Sequence, residues 1–137
     1  MPADAPPNPF GPVSAMPEMS PLFEVPGAAF YSLQVGRGEE EITAAGLDGF
    51  IANLGGTFKN WRQTARAISA MDVIVCCDSA NAHLAGALGK PTLLMIMVAP
   101  CWRWLLNRND SPWYANTKLF RQTAPLDWSG PIASVKK

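Results

Sequence analysis

The chain has 137 residues, enough for one domain of ordinary size, and nearly half of them (48%) are apolar. Eleven basic residues balance eleven acidic ones, so no surplus of cations is available to neutralise a phosphate backbone, and nucleic acid is not an expected partner. The longest apolar run, residues 92–100, is about half the roughly 20 residues that span a bilayer, and the N-terminus lacks a basic stretch followed by an apolar core; a cytoplasmic protein with no transmembrane segment is expected.

Eight of the thirteen prolines fall between Pro2 and Pro26. Residues 1–27 are therefore expected to form an extended, proline-rich tail, with Met19, Leu22 and Phe23 available to anchor it on the domain. The ordered domain is expected over residues 28–137. Residues 28–34 are short, apolar and aromatic and stop at Gly36 and Gly38, the pattern of a strand ending in a glycine-bearing turn. Residues 39–57 mix acids and glycines and follow neither period; the Gly55-Gly56 pair reads as a turn, because no helix signal with Lys-Ser/Thr follows it to make a phosphate cradle.

From Trp61 the apolar residues Trp61, Ala65, Ile68 and Met71 recur with a period near 3.6, and Asn60 is placed to cap the helix. Residues 72–77 form a continuous β-branched run suited to a strand buried on both faces. A short helix over 80–88 follows, with Gly89 at the C′ position and Pro91 preventing its continuation. Residues 92–98 are another buried strand. Beyond an aromatic and basic stretch, Leu119-Phe120 reads as a short strand and residues 132–135 as a terminal turn. The order strand, helix, strand, helix, strand predicts an α/β fold: a three-layer, Rossmann-like parallel sheet with right-handed crossovers.

Cys76 and Cys77, as neighbours in a strand, point to opposite faces and make a poor disulfide pair. With Cys101 and a single histidine they do not form a zinc set, so three reduced, structural thiols are expected and no metal site.

Parallel sheets place ligands at the carboxyl ends of their strands. The segment Asp78-Ser79-Ala80-Asn81-Ala82-His83 sits at such an end, where a buried strand passes directly into a helix. The free N–H groups of the first turn and the helix dipole suit a phosphate. Ser79 can add a hydroxyl, and His83, one turn in, can donate a ring N–H to the same anion or to a sugar hydroxyl. The ordinary alternatives are a helix cap at Asp78 or Ser79 and a core hydrogen bond at His83. Trp102, Trp104, Trp113 and Tyr114 can stack on a base or sugar, although packing of a terminal segment across the sheet is the commoner use of such residues.

Asp-Ser-x-x-x-His followed by Leu-Ala-Gly-Ala-Leu-Gly-Lys-Pro (residues 78–91) resembles the donor-site motif of the lipopolysaccharide heptosyltransferase-like glycosyltransferases, notably members fused to tetratricopeptide repeats. Residues 30–36 (Phe-Tyr-Ser-Leu-Gln-Val-Gly) and the segment from Trp102-Arg103-Trp104 through Asp110-Ser111-Pro112-Trp113-Tyr114 to Leu119-Phe120-Arg121-Gln122 resemble the same family. The resemblance implies the C-terminal half of a GT-B fold, which holds a nucleotide-diphosphate sugar, while an N-terminal half, here requiring a partner chain, holds the acceptor. It implies backbone contacts from Ser79, Ala80 and Asn81 to the diphosphate, a contact from His83 to diphosphate or sugar, and an orienting role for Asp78. Gln34 and Gly36 would line the cleft, and the loop carrying Trp102 and Arg103 would border the nucleoside. The pattern departs at Val35, where relatives often carry a basic residue that Arg37 would have to replace, at Ala80, where glycine is usual, and at Cys101, Asn107 and Asn109, where acids are frequent. The expected function is donor binding for glycosyl transfer, inactive in isolation and without a cofactor; the alternative is a degenerate, non-catalytic binding or assembly module.

Overall fold

The computed structural model describes residues 16–137. Residues 1–15 of the expected tail lie outside the described residues. The rest of that tail is not extended: Met16–Glu24 is a 3-10 helix. Proline's fixed φ suits 3-10 geometry, and its missing N–H matters little in a short helix. The anchoring residues are those the apolar pattern picks out. Leu22 is buried, Met19 packs beside it, and both Met19 and Phe23 pack on a second cluster around Ile42 and Ile51.

Two parallel sheets follow instead of the single sheet expected. In the first, β1 (Phe30–Ser32) pairs with β2 (Ile51–Asn53), and helix α1 (Arg37–Ala44) connects them. Arg37 and Gly38, placed by the sequence in the turn after β1, open α1 instead, while β2 and the rest of α1 come from residues 39–57, whose periodicity was uninformative. Their signals are weak because each buries few side chains: Ile42 is 1% exposed and Ile51 5% exposed, while most neighbours face solvent. Local polar chemistry compensates in α1. Glu39 and Glu40 lie in its first turn, where the dipole favours acids, and Glu39 Oε1 accepts the Gly36 N–H at 3.0 Å. Gly55–Thr57 is a 3-10 turn, in keeping with the turn expected there.

Helix α2 (Trp61–Ala70) is capped as expected: the Asn60 side chain accepts the Gln63 N–H at 3.1 Å, and Gln63 Oε1 accepts the Lys59 N–H in return. Its inward face differs from the expected stripe, however. Thr64 and Ile68 are buried, whereas Trp61 is 60% exposed, because the helix packs through its middle and leaves its first residue beyond the core.

The second sheet contains β3 (Ile74–Cys77), β4 (Thr92–Ile96) and β5 (Thr117–Arg121) in the order β3-β4-β5, all parallel. Helix α3 (Ala80–Ala87) connects β3 to β4. It ends as predicted, with Gly89 at φ 70°, its N–H bonded to Gly86 O and the Lys90 N–H to Ala85 O. The terminal turn is a full helix, α4 (Ser129–Lys136).

Alternation along these strands builds two cores. Cys77, Met95 and Phe120 face Leu22, Trp128 and Ile132, on the side covered by α4 and the N-terminal 3-10 helix. Cys76, Leu94, Ile96 and Leu119 face Ala82 and Trp104, on the side of α3. The adjacent cysteines thus point to opposite faces, and all three cysteines are free thiols. Leu33, just past β1, joins Ile68, Ile74 and Ala85 in a further cluster and so ties the first sheet to α2 and α3. The helices and parallel strands are those of an α/β, Rossmann-like fold. No helix among the described residues is long and apolar enough to cross a membrane.

Candidate functional site

The site is built at the β3–α3 junction. Ile74–Cys77 is short and apolar, so burial on both faces holds it rigidly, and the chain leaves it at Asp78 directly into α3. Ser79 is the N-cap, extended at φ −158° and ψ 169°, and its hydroxyl makes no capping hydrogen bond. Its carbonyl accepts from Ala82 N and His83 N, the usual first-turn bonds. Among the described residues the N–H groups of Ala80 and Asn81 have no protein acceptor, and Ser79 and Ala80 are exposed. A capping bond at Ser79 would have contributed about 1 kcal/mol; here those donors are left without a protein acceptor.

His83 is held from three sides. Its ring stacks on Trp104, with centroids 5.0 Å apart and planes 18° from parallel. Nδ1 lies 2.9 Å from the Tyr114 hydroxyl. Nε2 lies 3.9 Å from Asp78 Oδ1, and both side chains retain about a third of their exposure (32% and 30%). The ring therefore serves packing with one edge and keeps the other toward Asp78 and solvent. Trp104 is fully buried, which makes it the packing tryptophan of its stretch. Tyr114 reaches His83 across Gly86, where a β-carbon would strike the phenol ring. The sequence offers both aromatics for stacking on a base or sugar, with packing the commoner use; here both pack on His83. The available signal was Gly86 itself, a glycine inside a helix one turn beyond His83, which marks a close approach.

The other predicted residues occupy two neighbouring places. Gln34 and Gly36 lie in the β1–α1 connection, with Gly36 as the N-cap of α1 and Arg37 its first residue. The Gln34 side chain is exposed, and its backbone packs so closely on Gly55 that no β-carbon fits there. Glu39 Oε2 accepts from Asn53 Nδ2 at 3.4 Å, linking this connection to the end of β2. Trp102 and Arg103 sit in a 3-10 turn (Trp102–Trp104) after β4. Trp102 is 68% exposed, lies edge-to-face with the exposed Trp113, and carries the Arg103 guanidinium 4.9 Å from its ring centre. Trp113 Nε1 donates to Arg103 O at 2.8 Å, which fixes this corner.

Asp78, Ser79, Ala80, Asn81 and His83 thus stand together at the β3–α3 junction, while Gln34, Gly36 and Arg37 lie in the chain after β1 and Trp102 and Arg103 in the chain after β4. Two surface grooves, of about 410 and 550 Å³, lie beside β5 and α4 and include no residue of the β3–α3 junction. The junction is an open edge where two backbone N–H groups without a protein acceptor among the described residues, those of Ala80 and Asn81, stand in the same turn as a histidine; the grooves hold no histidine and, at the start of α4, one such donor, Gly130 N–H. Among the described residues no group of three or more His, Cys, Asp or Glu is placed to hold a metal ion.

No curated protein and no solved structure matches the chain. Residues 35–96, a little under half of the 137, match the model of glycosyltransferase family 9 (heptosyltransferase). That stretch runs from the β1–α1 connection through α3 to the end of β4, so it contains the β3–α3 junction and stops short of Trp102 and Arg103. The match supports a glycosyltransferase-related function for this chain.

Proposed function

We propose that the chain is the nucleotide-diphosphate-sugar-binding half of a glycosyltransferase, with the diphosphate at the start of α3. The observation that carries this reading is the uncapped first turn of α3, emerging from a buried parallel strand with the His83 Nε2 edge beside it. The N–H groups of Ala80 and Asn81 and the Ser79 hydroxyl would donate to phosphate oxygens, and the helix dipole would favour the charge there. Gln34, Gly36 and Arg37 would line the cleft, and Trp102 with Arg103 would flank the nucleoside. Stabilising the leaving diphosphate is the main contribution a protein makes to such a transfer.

The acceptor would be held by a second domain or a partner chain, since glycosyl transfer of this type needs donor and acceptor positioned across a cleft. Positioning of that kind can supply roughly 7–11 kcal/mol of barrier reduction, so the 137-residue chain alone is expected to turn over negligibly.

Titration of the ¹⁵N-labelled chain with ADP, UDP and GDP tests the donor site. Amide shifts should cluster at Ser79, Asn81 and His83 and diminish in His83→Ala. Shifts confined to the grooves beside α4, or none at all, would overturn the reading.

Two observations favour a second reading, a binding or assembly module without turnover. His83 is already engaged by Tyr114 and Trp104, and Val35, where the related family often carries a basic residue, is a solvent-exposed valine. Product formation from labelled nucleotide sugars, alone and with candidate partner proteins, separates the two: diphosphate binding together with partner-dependent transfer supports the first reading, whereas partner binding without a nucleotide site supports the second.

A further inference from the structure

We propose that Tyr114 is a positioning residue that, together with the Asp78 carboxylate, sets the tautomer of His83, placing the ring proton on Nε2, the edge that faces Asp78. A neutral imidazole has one N–H donor and one lone-pair acceptor, and its two neighbours decide which nitrogen is which. The Asp78 carboxylate, 3.9 Å from Nε2, can only accept. A lone pair on Nε2 would face that negative charge, whereas an N–H there is attracted to it. Nδ1 then keeps its lone pair, and the Tyr114 hydroxyl, 2.9 Å away, must be the donor. The opposite assignment makes the phenol, a stronger donor than acceptor, accept from Nδ1 and also sets two acceptors against each other at Asp78, so each neighbour contributes to the bias and loss of either weakens it.

The ring is not free to choose another arrangement. Trp104, fully buried, stacks beneath it at 5.0 Å, and the phenol ring meets it edge-on at 5.8 Å. Turning the ring over would present carbon instead of Nδ1 to the hydroxyl. Tyr114 is itself held, because Ser111 Oγ accepts its backbone N–H at 3.2 Å and Gly86 provides the space its ring fills. The order Tyr114 O–H to Nδ1, then Nε2–H toward Asp78, leaves a fixed ring donor beside the residue that leads into α3, whose Ala80 and Asn81 N–H groups have no protein acceptor among the described residues. A fixed donor suits an acceptor-only ligand such as a phosphate, so the ligand-binding consequence rests on the donor-site reading above, whereas the tautomer itself does not.

The chain has one histidine, so its imidazole nitrogens are read without assignment ambiguity. Long-range ¹H–¹⁵N correlation spectra at mildly alkaline pH should show a protonated Nε2 and an unprotonated Nδ1 in the 137-residue chain. Tyr114→Phe keeps the ring over Gly86 and removes only the hydroxyl; the two nitrogen shifts should move toward each other as the tautomers mix. Urea unfolding of the variant checks that it is folded. A protonated Nδ1 in the unsubstituted chain, or nitrogen shifts unchanged in folded Tyr114→Phe, would overturn the proposal. ADP and UDP titrations add the functional arm: loss of the fixed donor should weaken binding up to about tenfold. Failure of the unsubstituted chain to bind either nucleotide would defeat the donor-site reading, and the nitrogen shifts would still decide the role of Tyr114.

Discussion

Gly86 lies inside α3, where alanine ordinarily adds about 1 kcal/mol of helix stability. A β-carbon at this position, however, would fall 2.7 Å from both Cδ1 and Cδ2 of Tyr114 and closer still to Cγ. Ordinary carbon–carbon contact is about 3.5–4.0 Å, so the phenol ring would have to move by roughly 1 Å. It cannot do so cheaply. Cγ is one bond from Cβ, and the Tyr114 backbone is held at both ends, with its N–H on Ser111 Oγ and its carbonyl accepting the Thr117 N–H at 3.1 Å. Overpacking of this kind costs about 1–3 kcal/mol, and the hydrogen bond to His83 that the shift would break is worth about 0.5–1.5 kcal/mol. Against the gain in helix propensity, Gly86→Ala is expected to destabilise the protein by roughly 0.5–3.5 kcal/mol. The assay is urea unfolding at constant m-value, run in the unsubstituted chain and in a Tyr114→Ala background. With the ring removed, the same Gly86→Ala change should become stabilising. An equal effect in both backgrounds, or a gain of about 1 kcal/mol with Tyr114 present, would refute the close packing of Tyr114 on α3 and the geometry at His83 that depends on it.

Further outcomes follow from the packing and the buried thiols. Leu22→Ala should lower stability by about 2–5 kcal/mol in urea titrations, because Leu22 is 5% exposed within the cluster formed by Trp128, Ile132 and Met95; a change within the error of the assay would mean that the N-terminal 3-10 helix is not part of the folded unit. Gly55→Ala should cost at least about 3 kcal/mol, since a β-carbon there lands on the Gln34 carbonyl, and near-native stability would contradict the contact between the β1–α1 connection and the Gly55–Thr57 turn. Burial, with the Asp78 carboxylate nearby, pushes the Cys76 thiol up to about 12, and burial pushes Cys77 up as well. The unfolded chain releases these protons from the ordinary 9.0 upward while the folded chain retains them, so their contribution is complete below pH 9.0 and is lost as pH rises toward 12, at up to roughly 1.4 kcal/mol per pH unit for each thiol. Urea midpoints measured on either side of pH 9.0 test the sign, and thiol reagents should react slowly with Cys76 and Cys77 in the folded protein but count three groups after denaturation.

The sequence by itself determined the elements whose signals are local or strongly periodic. The apolar run ending at Cys77, the Asn60 cap, the stop at Gly89 and the strand–helix junction at Asp78-Ser79 are legible because each follows from side-chain burial or backbone geometry within a few residues. Only the tertiary structure decided the rest. Helix α1 and strand β2 each hang on one well-buried isoleucine, too little for a period to show, and the division into two sheets depends on pairing between strands about 20 residues apart, which no local pattern encodes. The buried face of α2 moved from Trp61 to Thr64 because what packs against a helix, not its own hydrophobicity, decides which side is covered. The surroundings of His83 could not be read from the chain for the same reason. Tyr114 lies 31 positions away, and its hydrogen bond exists because α3 and the chain after the Trp102–Trp104 turn pack together around a glycine too small to keep them apart.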